Sequence, residues 1–319
     1  MRIGVYPTPV QRLAGALGSG RDLWVKRDDL TSPRYGGNKV RKLERVLDVA
    51  RENGASRIVT VGAAGSHHVL ATSLYARELG IDVDAVLVPQ PRTAHVVENL
   101  RAIYARARIW PAASFPNAAT IIVDRVACGA FYVPAGGSTE EGALAYVDAA
   151  REFLGQVDAG ELPQPKVVVA TLGSGGTVGG LAAGFALFRP GVRVIGVTVS
   201  EPRGLVARSA RRLASACVRQ VASGSPERAI DLEITDRYLG RGYGYATPAC
   251  EAAIRMAAGY GLTLDATYTG KACAAALDRP PSDDPVLFWH TLSSAPMAPL
   301  LEGAPAEADL PEDVRALLV

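Results

Sequence analysis

The stretch Tyr35-Gly36-Gly37-Asn38-Lys39-Val40-Arg41-Lys42-Leu43-Glu44 decides how the chain is read. Two glycines permit a tight turn and a close approach to a ligand. Asn38 suits a helix N-cap, and Val40, Leu43, Val46, Leu47 and Ala50 follow at helical spacing. Lys39 then falls in the first turn, beside the positive end of the helix dipole. A positive field lowers a lysine's pKa and favours its neutral, nucleophilic form. Such a lysine suits Schiff-base chemistry on a carbonyl cofactor such as pyridoxal 5'-phosphate (PLP). The same ten residues also fit a glycine turn opening a basic surface helix.

Composition narrows the setting. A chain of 319 residues holds one large or two medium domains with real cores. A net charge of +2 carries no nucleic-acid footprint. Lysines are scarce, so any Schiff-base lysine is Lys26, Lys39, Lys42, Lys166 or Lys271. Cys128, Cys217, Cys250 and Cys273 show neither CxxC nor zinc-ligand spacing, so no metal is expected and each reads as a small buried hydrophobe. With no signal peptide and no long apolar span, the expectation is a cytoplasmic protein without a membrane partner.

Short apolar runs alternate with amphipathic stretches, as in parallel α/β units. Strands are expected at 23–25, 57–61, 83–88, 130–133, 166–170, 192–199 and 286–289. Helices fit 40–51, 67–79, 94–107, 140–154, 176–188, 204–222, 247–260 and 268–277. The polar stretch 157–165 reads as a crossing between domains, and the acidic tail from Ala304 as a surface appendage. The expected division is a large domain of 1–42 and 151–319 and a small domain of 43–150. The ligand cleft is expected between the α/β layers, because open α/β sheets bind at the carboxyl ends of their strands.

Two further motifs carry chemistry. Gly173-Ser174-Gly175-Gly176-Thr177 follows a buried strand and opens a helix. Its glycines bare successive N–H groups, the helix start adds positive potential, and Ser174 and Thr177 bring hydroxyls; this is a phosphate cradle. It lacks the Gly-Lys-Ser/Thr of a P-loop, which argues against a nucleoside triphosphate. A tight turn for helix–strand packing is its plainer reading. Gly65-Ser66-His67-His68 also lies between a strand and a helix. Ser66 and the first helical amides suit a substrate carboxylate, and His67 or His68 suits donation to a cofactor oxygen or proton movement. A histidine serving only as helix cap fits equally well.

Across nearly its whole length the chain resembles the PLP-dependent D-cysteine desulfhydrase and 1-aminocyclopropane-1-carboxylate (ACC) deaminase family. The resemblance is carried by Lys26-Arg27-Asp28-Asp29-Leu30-Thr31, Gly36 to Glu44, Gly136-Gly137-Ser138, Gly196 to Ser200, Gly242-Tyr243-Gly244, Tyr268-Thr269-Gly270-Lys271-Ala272 and Phe288-Trp289-His290-Thr291. It implies the tryptophan-synthase-β-like fold type II: two α/β domains, open twisted mostly parallel sheets, the cofactor in the interdomain cleft, and a homodimer. It implies that Lys39 binds PLP, that Asn38 lies at the cofactor, that Gly173 to Thr177 hold the phosphate, and that Thr291 meets the pyridine nitrogen. Ser66 then contacts the substrate carboxylate and helps move a proton, with His67 and His68 beside it. Tyr243 and Tyr268 line the substrate side.

Departures from the family pattern bear on substrate more than on cofactor. His67 stands where an asparagine usually donates to the ring hydroxyl. Leu292-Ser293-Ser294 replaces a glycine pair, and the segment 89–110 is short and lacks a Gly-Asn pair. Thr269, where ACC deaminases carry glutamate, leans towards the desulfhydrase branch. The expected activity is elimination on a small amino acid, giving a keto acid and ammonia. The alternatives are ACC ring opening, β-replacement, racemisation, a PLP-fold binding protein without catalysis, and a nucleotide-binding α/β protein.

Overall fold

Strands and helices alternate along most of the chain. The computed structural model describes residues 2–15, 23–223, 228–279 and 284–319. In chain order the elements are β1 (Val10–Leu13), β2 (Leu23–Arg27), α1 (Asn38–Glu52), β3 (Arg57–Ala63), α2 (His67–Glu78), β4 (Asp82–Val88), α3 (Ala94–Tyr104), β5 (Arg108–Pro111), α4 (Phe115–Ala127) and β6 (Phe131–Val133). Then come α5 (Glu140–Asp158), β7 (Val167–Leu172), α6 (Gly176–Phe188), β8 (Arg193–Thr198), α7 (Arg203–Val221), β9 (Leu232–Thr235), α8 (Pro248–Ala258), α9 (Thr269–Leu277) and β10 (Val286–His290), with short helices α10 (Ala298–Leu301) and α11 (Glu312–Arg315) at the end.

The chain clusters into two units. The larger comprises Gly4–Lys42 and Ser138–Ala295; the smaller comprises Leu43–Gly137 and Pro296–Val319 together with Arg2 and Ile3. The stretch 157–165 therefore lies inside the larger unit, where Leu162 joins the core under α5 and α6.

The larger unit is built on a six-stranded sheet of order β1-β2-β10-β7-β8-β9, parallel except for β1 against β2. Successive strand residues point to opposite faces. Val168, Ala170, Leu172, Leu287 and Trp289 meet the core of α5, α6 and α7. Val25, Val169, Val197 and Phe288 meet the core of α8 and α9. A sheet covered on both faces requires apolar residues at every position, and that is why 167–170 reads as an unbroken apolar run.

The smaller unit holds a parallel four-stranded sheet of order β5-β4-β3-β6. The carboxyl-terminal tail is part of this unit rather than an appendage. Gln90 N–H donates to the Leu317 carbonyl (2.9 Å), and Val319 N–H to the Gln90 carbonyl (3.1 Å). Leu310, Val314 and Leu317 are buried, while the acidic residues between them face outward. Of the four cysteines, Cys128 is exposed, against expectation, because it follows α4 at the surface; the other three are buried.

Candidate active site

Gly36 and Gly37 sit tightly against the segment that leaves β10. Gly37 has φ +86°, and a Cβ there would lie 2.7 Å from the Thr291 carbonyl oxygen, so neither the conformation nor the space admits a side chain. Gly37 N–H donates to the Asp28 carbonyl (2.9 Å) and Asn38 N–H to the Thr291 carbonyl (3.0 Å). The Ser293 hydroxyl accepts from Gly36 N–H (2.9 Å), and the Ser294 hydroxyl donates to Asp29 Oδ2 (2.5 Å). The unusual serines thus help hold the turn ahead of Lys39.

A buried charge cluster holds the helix that follows. Asp28 accepts from Arg41 Nη2 (2.8 Å), Tyr146 Oη (2.8 Å), Trp289 Nε1 (2.7 Å) and Thr8 Oγ1 (2.9 Å). Burial is the largest influence and works against the Asp28 charge, but Arg41, Lys26 and the Trp289 hydrogen bond together outweigh it and hold the carboxyl below its usual range.

Asn38 is the first residue of α1 and does not cap it. Its Oδ1 accepts from Lys39 Nζ (2.7 Å), and its Nδ2 donates to Thr177 Oγ1 (2.9 Å). One amide therefore fastens the lysine to the start of α6. The Lys39 pKa falls to about 8, and burial is the cause, partly offset by the negative charge of Asp265. Desolvation thus favours the neutral amine, a cause beyond the helix start that the sequence offered.

The start of α6 is a cradle shaped for an anion. The first amides of a helix lack intrahelical acceptors and carry the positive end of its dipole. Gly176 N–H points at Ser138 Oγ (3.1 Å), and that hydroxyl meets Ser174 Oγ (2.7 Å). A Cβ on Gly176 would stand 2.8 Å from Ser138 Oγ and 2.9 Å from Lys42 Nζ, so this space closes if residue 176 gains a side chain. Lys42 is buried, and its pKa is driven well down by burial and then by Lys39. A phosphate here would offset that desolvation, so the residues fit a phosphate-bearing aldehyde. Sequence reasoning missed Lys42 and Ser138; the three-residue spacing of Lys39 and Lys42, which puts both on one helix face, was the available signal.

The tyrosines stand beside the cradle. Gly173 faces the Tyr268 ring, with Cε1 3.6 Å from where a Cβ would be. The Tyr243 and Tyr268 hydroxyls are 2.5 Å apart. Burial pushes Tyr243 up to about 12 and Tyr268 well above its usual value, so both remain protonated phenols at neutral pH. Thr269 does not face a ligand: it is fully buried and donates to Asp265 Oδ1 (2.6 Å). Asp265 also accepts from the amides of 267, 268 and 269, fixing the start of α9.

In the smaller unit Ser66, not a histidine, caps α2, its Oγ accepting from Val69 N–H (3.3 Å). His68 departs from its expected place at substrate. It is buried with Nε2 2.9 Å from Thr60 Oγ1. Thr60 gives its own proton to the Val133 carbonyl (2.8 Å), so His68 Nε2 carries the hydrogen and serves the core. His67 is half-buried, with Nε2 3.0 Å from Nε2 of His95, a partner 28 positions away that no local pattern announces.

The comparisons with known proteins agree with this chemistry. The family of pyridoxal-phosphate dependent enzymes matches residues 1–291. The D-cysteine desulfhydrase of Salmonella typhi is 34% identical over 305 residues, covering 89% of this chain and 91% of that protein. The same enzyme of Salmonella enteritidis PT4 gives the same identity and coverage. Among solved structures, an ACC deaminase homologue superposes with a TM-score of 0.78 at 28% identity, over 92% of this chain and 91% of the other. O-acetyl serine sulfhydrylase isoform 3 of Entamoeba histolytica, at 16% identity and a TM-score of 0.64, shares the fold over 100% of this chain and 95% of its own. The chain belongs to the pyridoxal-phosphate dependent enzymes of fold type II, in the D-cysteine desulfhydrase and ACC deaminase group, and its cofactor is PLP.

Proposed function

We propose that the protein eliminates the β-substituent of a small amino acid, with D-cysteine as the substrate to which its relatives point. The carrying observation is the line Lys39–Asn38–Thr177, which ties a desolvated amine to an anion cradle inside one unit. Lys39 would hold PLP covalently, and Lys42, Ser138 and the amides of 174–177 would hold its phosphate; bound there, the group would supply the electron sink that acidifies a substrate Cα–H.

The chain's own groups do the rest. A free Lys39 amine would take the Cα proton, because its lowered pKa leaves much of it neutral near pH 8. The Tyr243–Tyr268 phenol pair gives a proton to the leaving sulfur as the Cβ–S bond breaks. Water then converts the remaining enamine to keto acid and ammonia, so cysteine plus water yields pyruvate, sulfide and ammonia. Ser66, at the positive end of α2, suits the substrate carboxylate, and His67 suits the ring hydroxyl that an asparagine serves in relatives. Thr291 at the end of β10 suits the pyridine nitrogen.

Keto-acid and sulfide release from D-cysteine, within a screen of D- and L-amino acids, tests the reading. Release from ACC without activity on D-cysteine would replace it with ring opening, the second reading, which the ACC deaminase homologue motivates. Resemblance also supports a cytoplasmic homodimer, and light scattering reads the oligomer.

A further inference from the structure

Lys271 lies on α9, three residues past Tyr268, and is fully buried. Burial lowers its pKa, so its charge is held at a cost. Its hydrogen bonds go to two main-chain carbonyls and not to a carboxylate: Leu239 O at 2.8 Å and Gly242 O at 3.0 Å. Those carbonyls belong to the loop 239–244 that carries Tyr243. Gly240, Gly242 and Gly244 there have φ of +63°, +120° and +86°. Glycines in that region give a loop many conformations, and little in its own sequence selects this one. At the other end of the same turn of α9, Asp265 binds the backbone amide of Tyr268 (2.9 Å). One helix start thus fixes both halves of the phenol pair, Tyr268 through its own backbone and Tyr243 through a buried ammonium.

We propose that Lys271 is a positioning residue that clasps the 239–244 loop so that the Tyr243 hydroxyl is delivered to Tyr268 at the substrate. The inference rests on the reading of that pair as substrate-side groups. Removing the ammonium strips the Gly242 carbonyl of this donor and leaves the Leu239 carbonyl only the longer bond from Gly242 N–H (3.3 Å), so the glycine loop can relax. Tyr243 then leaves its partner and gains water, while Tyr268 stays on α9. Lys271 acts only through Tyr243, so its loss and the loss of the Tyr243 hydroxyl are the same loss.

The test is a double-mutant cycle on the PLP-loaded enzyme with Lys271→Met, Tyr243→Phe and the pair, measured with D-cysteine. The clasp predicts that each single change lowers kcat/KM by about tenfold or more, and that the double variant falls within about twofold of Tyr243→Phe. A double variant whose loss is the product of the two single losses overturns the clasp. A second readout needs no catalysis. The phenolate absorbance near 295 nm, taken as each protein minus its own Tyr243→Phe variant, reads Tyr243 together with the Tyr268 hydroxyl it is bonded to. Its titration should fall from about 12 towards the ordinary tyrosine value in Lys271→Met; an unmoved titration overturns the clasp. Gly242→Ala, which strains φ at +120° with open space around the new methyl, loosens the same loop with Lys271 intact and serves if Lys271→Met fails to fold. If Tyr243→Phe leaves activity unchanged, the substrate-side reading fails, and the titration alone judges the clasp.

Discussion

At the scale of the residue, Lys39 is the centre of the account, and its neighbours set its behaviour. Because burial disfavours the ammonium, the amine is half neutral near pH 8. The rate at which cofactor-free protein captures PLP should rise about tenfold per pH unit below that point and level off above it. Stopped-flow absorbance reads the curve; a break near 10.5, the ordinary lysine value, would mean that the amine is not desolvated. The same shift penalises folding of the cofactor-free protein below pH 8 and releases the penalty between 8 and 10.5, so its stability should rise across that window. Lys42 is proposed to carry its charge against a bound phosphate, which would offset the burial that disfavours the ammonium in the empty site. Lys42→Met should weaken competition by inorganic phosphate for the cradle on the order of 10- to 100-fold, the weight of a hydrogen bond to a charged group. Lys39 was legible in the sequence because glycines, helix start and lysine lie together. His95 was not, because its meeting with His67 depends on how α3 lies on the Gly65 turn: Asn99, four residues after His95, donates to the Gly65 carbonyl (2.9 Å).

At the scale of the element, the first turns of α1, α2, α6 and α9 carry most of the candidate groups. Each is held by a distinct device. Ser66 caps α2, and Ser66→Ala should cost about 1 kcal/mol, read as a lowered denaturation midpoint. Arg41 anchors α1 to Asp28 and Glu152. Removing one partner of a buried ion pair strands the other, so Arg41→Met should cost about 3–5 kcal/mol in chemical denaturation. The sequence announced the central strands and the edge strand β6, and not the edge strands β1, β5 and β9, whose four-residue runs VQRL, RIWP and LEIT are short and only partly buried. Helix α4 was missed for another reason. It carries a polar stripe at Asn117, Thr120 and Asp124, yet of its residues only Ala118 is buried, so its apolar side does not mark a core face.

At the scale of the whole molecule, chain order and spatial grouping differ. The tail reads as charged surface, yet its leucines close the smaller unit. Leu317→Ala should therefore destabilise the protein by about 2–4 kcal/mol, far more than a surface change. Local pattern does not show which distant segments meet: Tyr243 and Tyr268 were placed at the site only by family resemblance, and the place of Ser138 beside Gly176 comes from the fold. The scarcity of lysine permits one decisive experiment on the whole chain. Borohydride reduction of the PLP-loaded protein, followed by proteolysis and mass spectrometry, should place a single pyridoxyl group on Lys39; finding it on Lys26, Lys42, Lys166 or Lys271 would contradict the account.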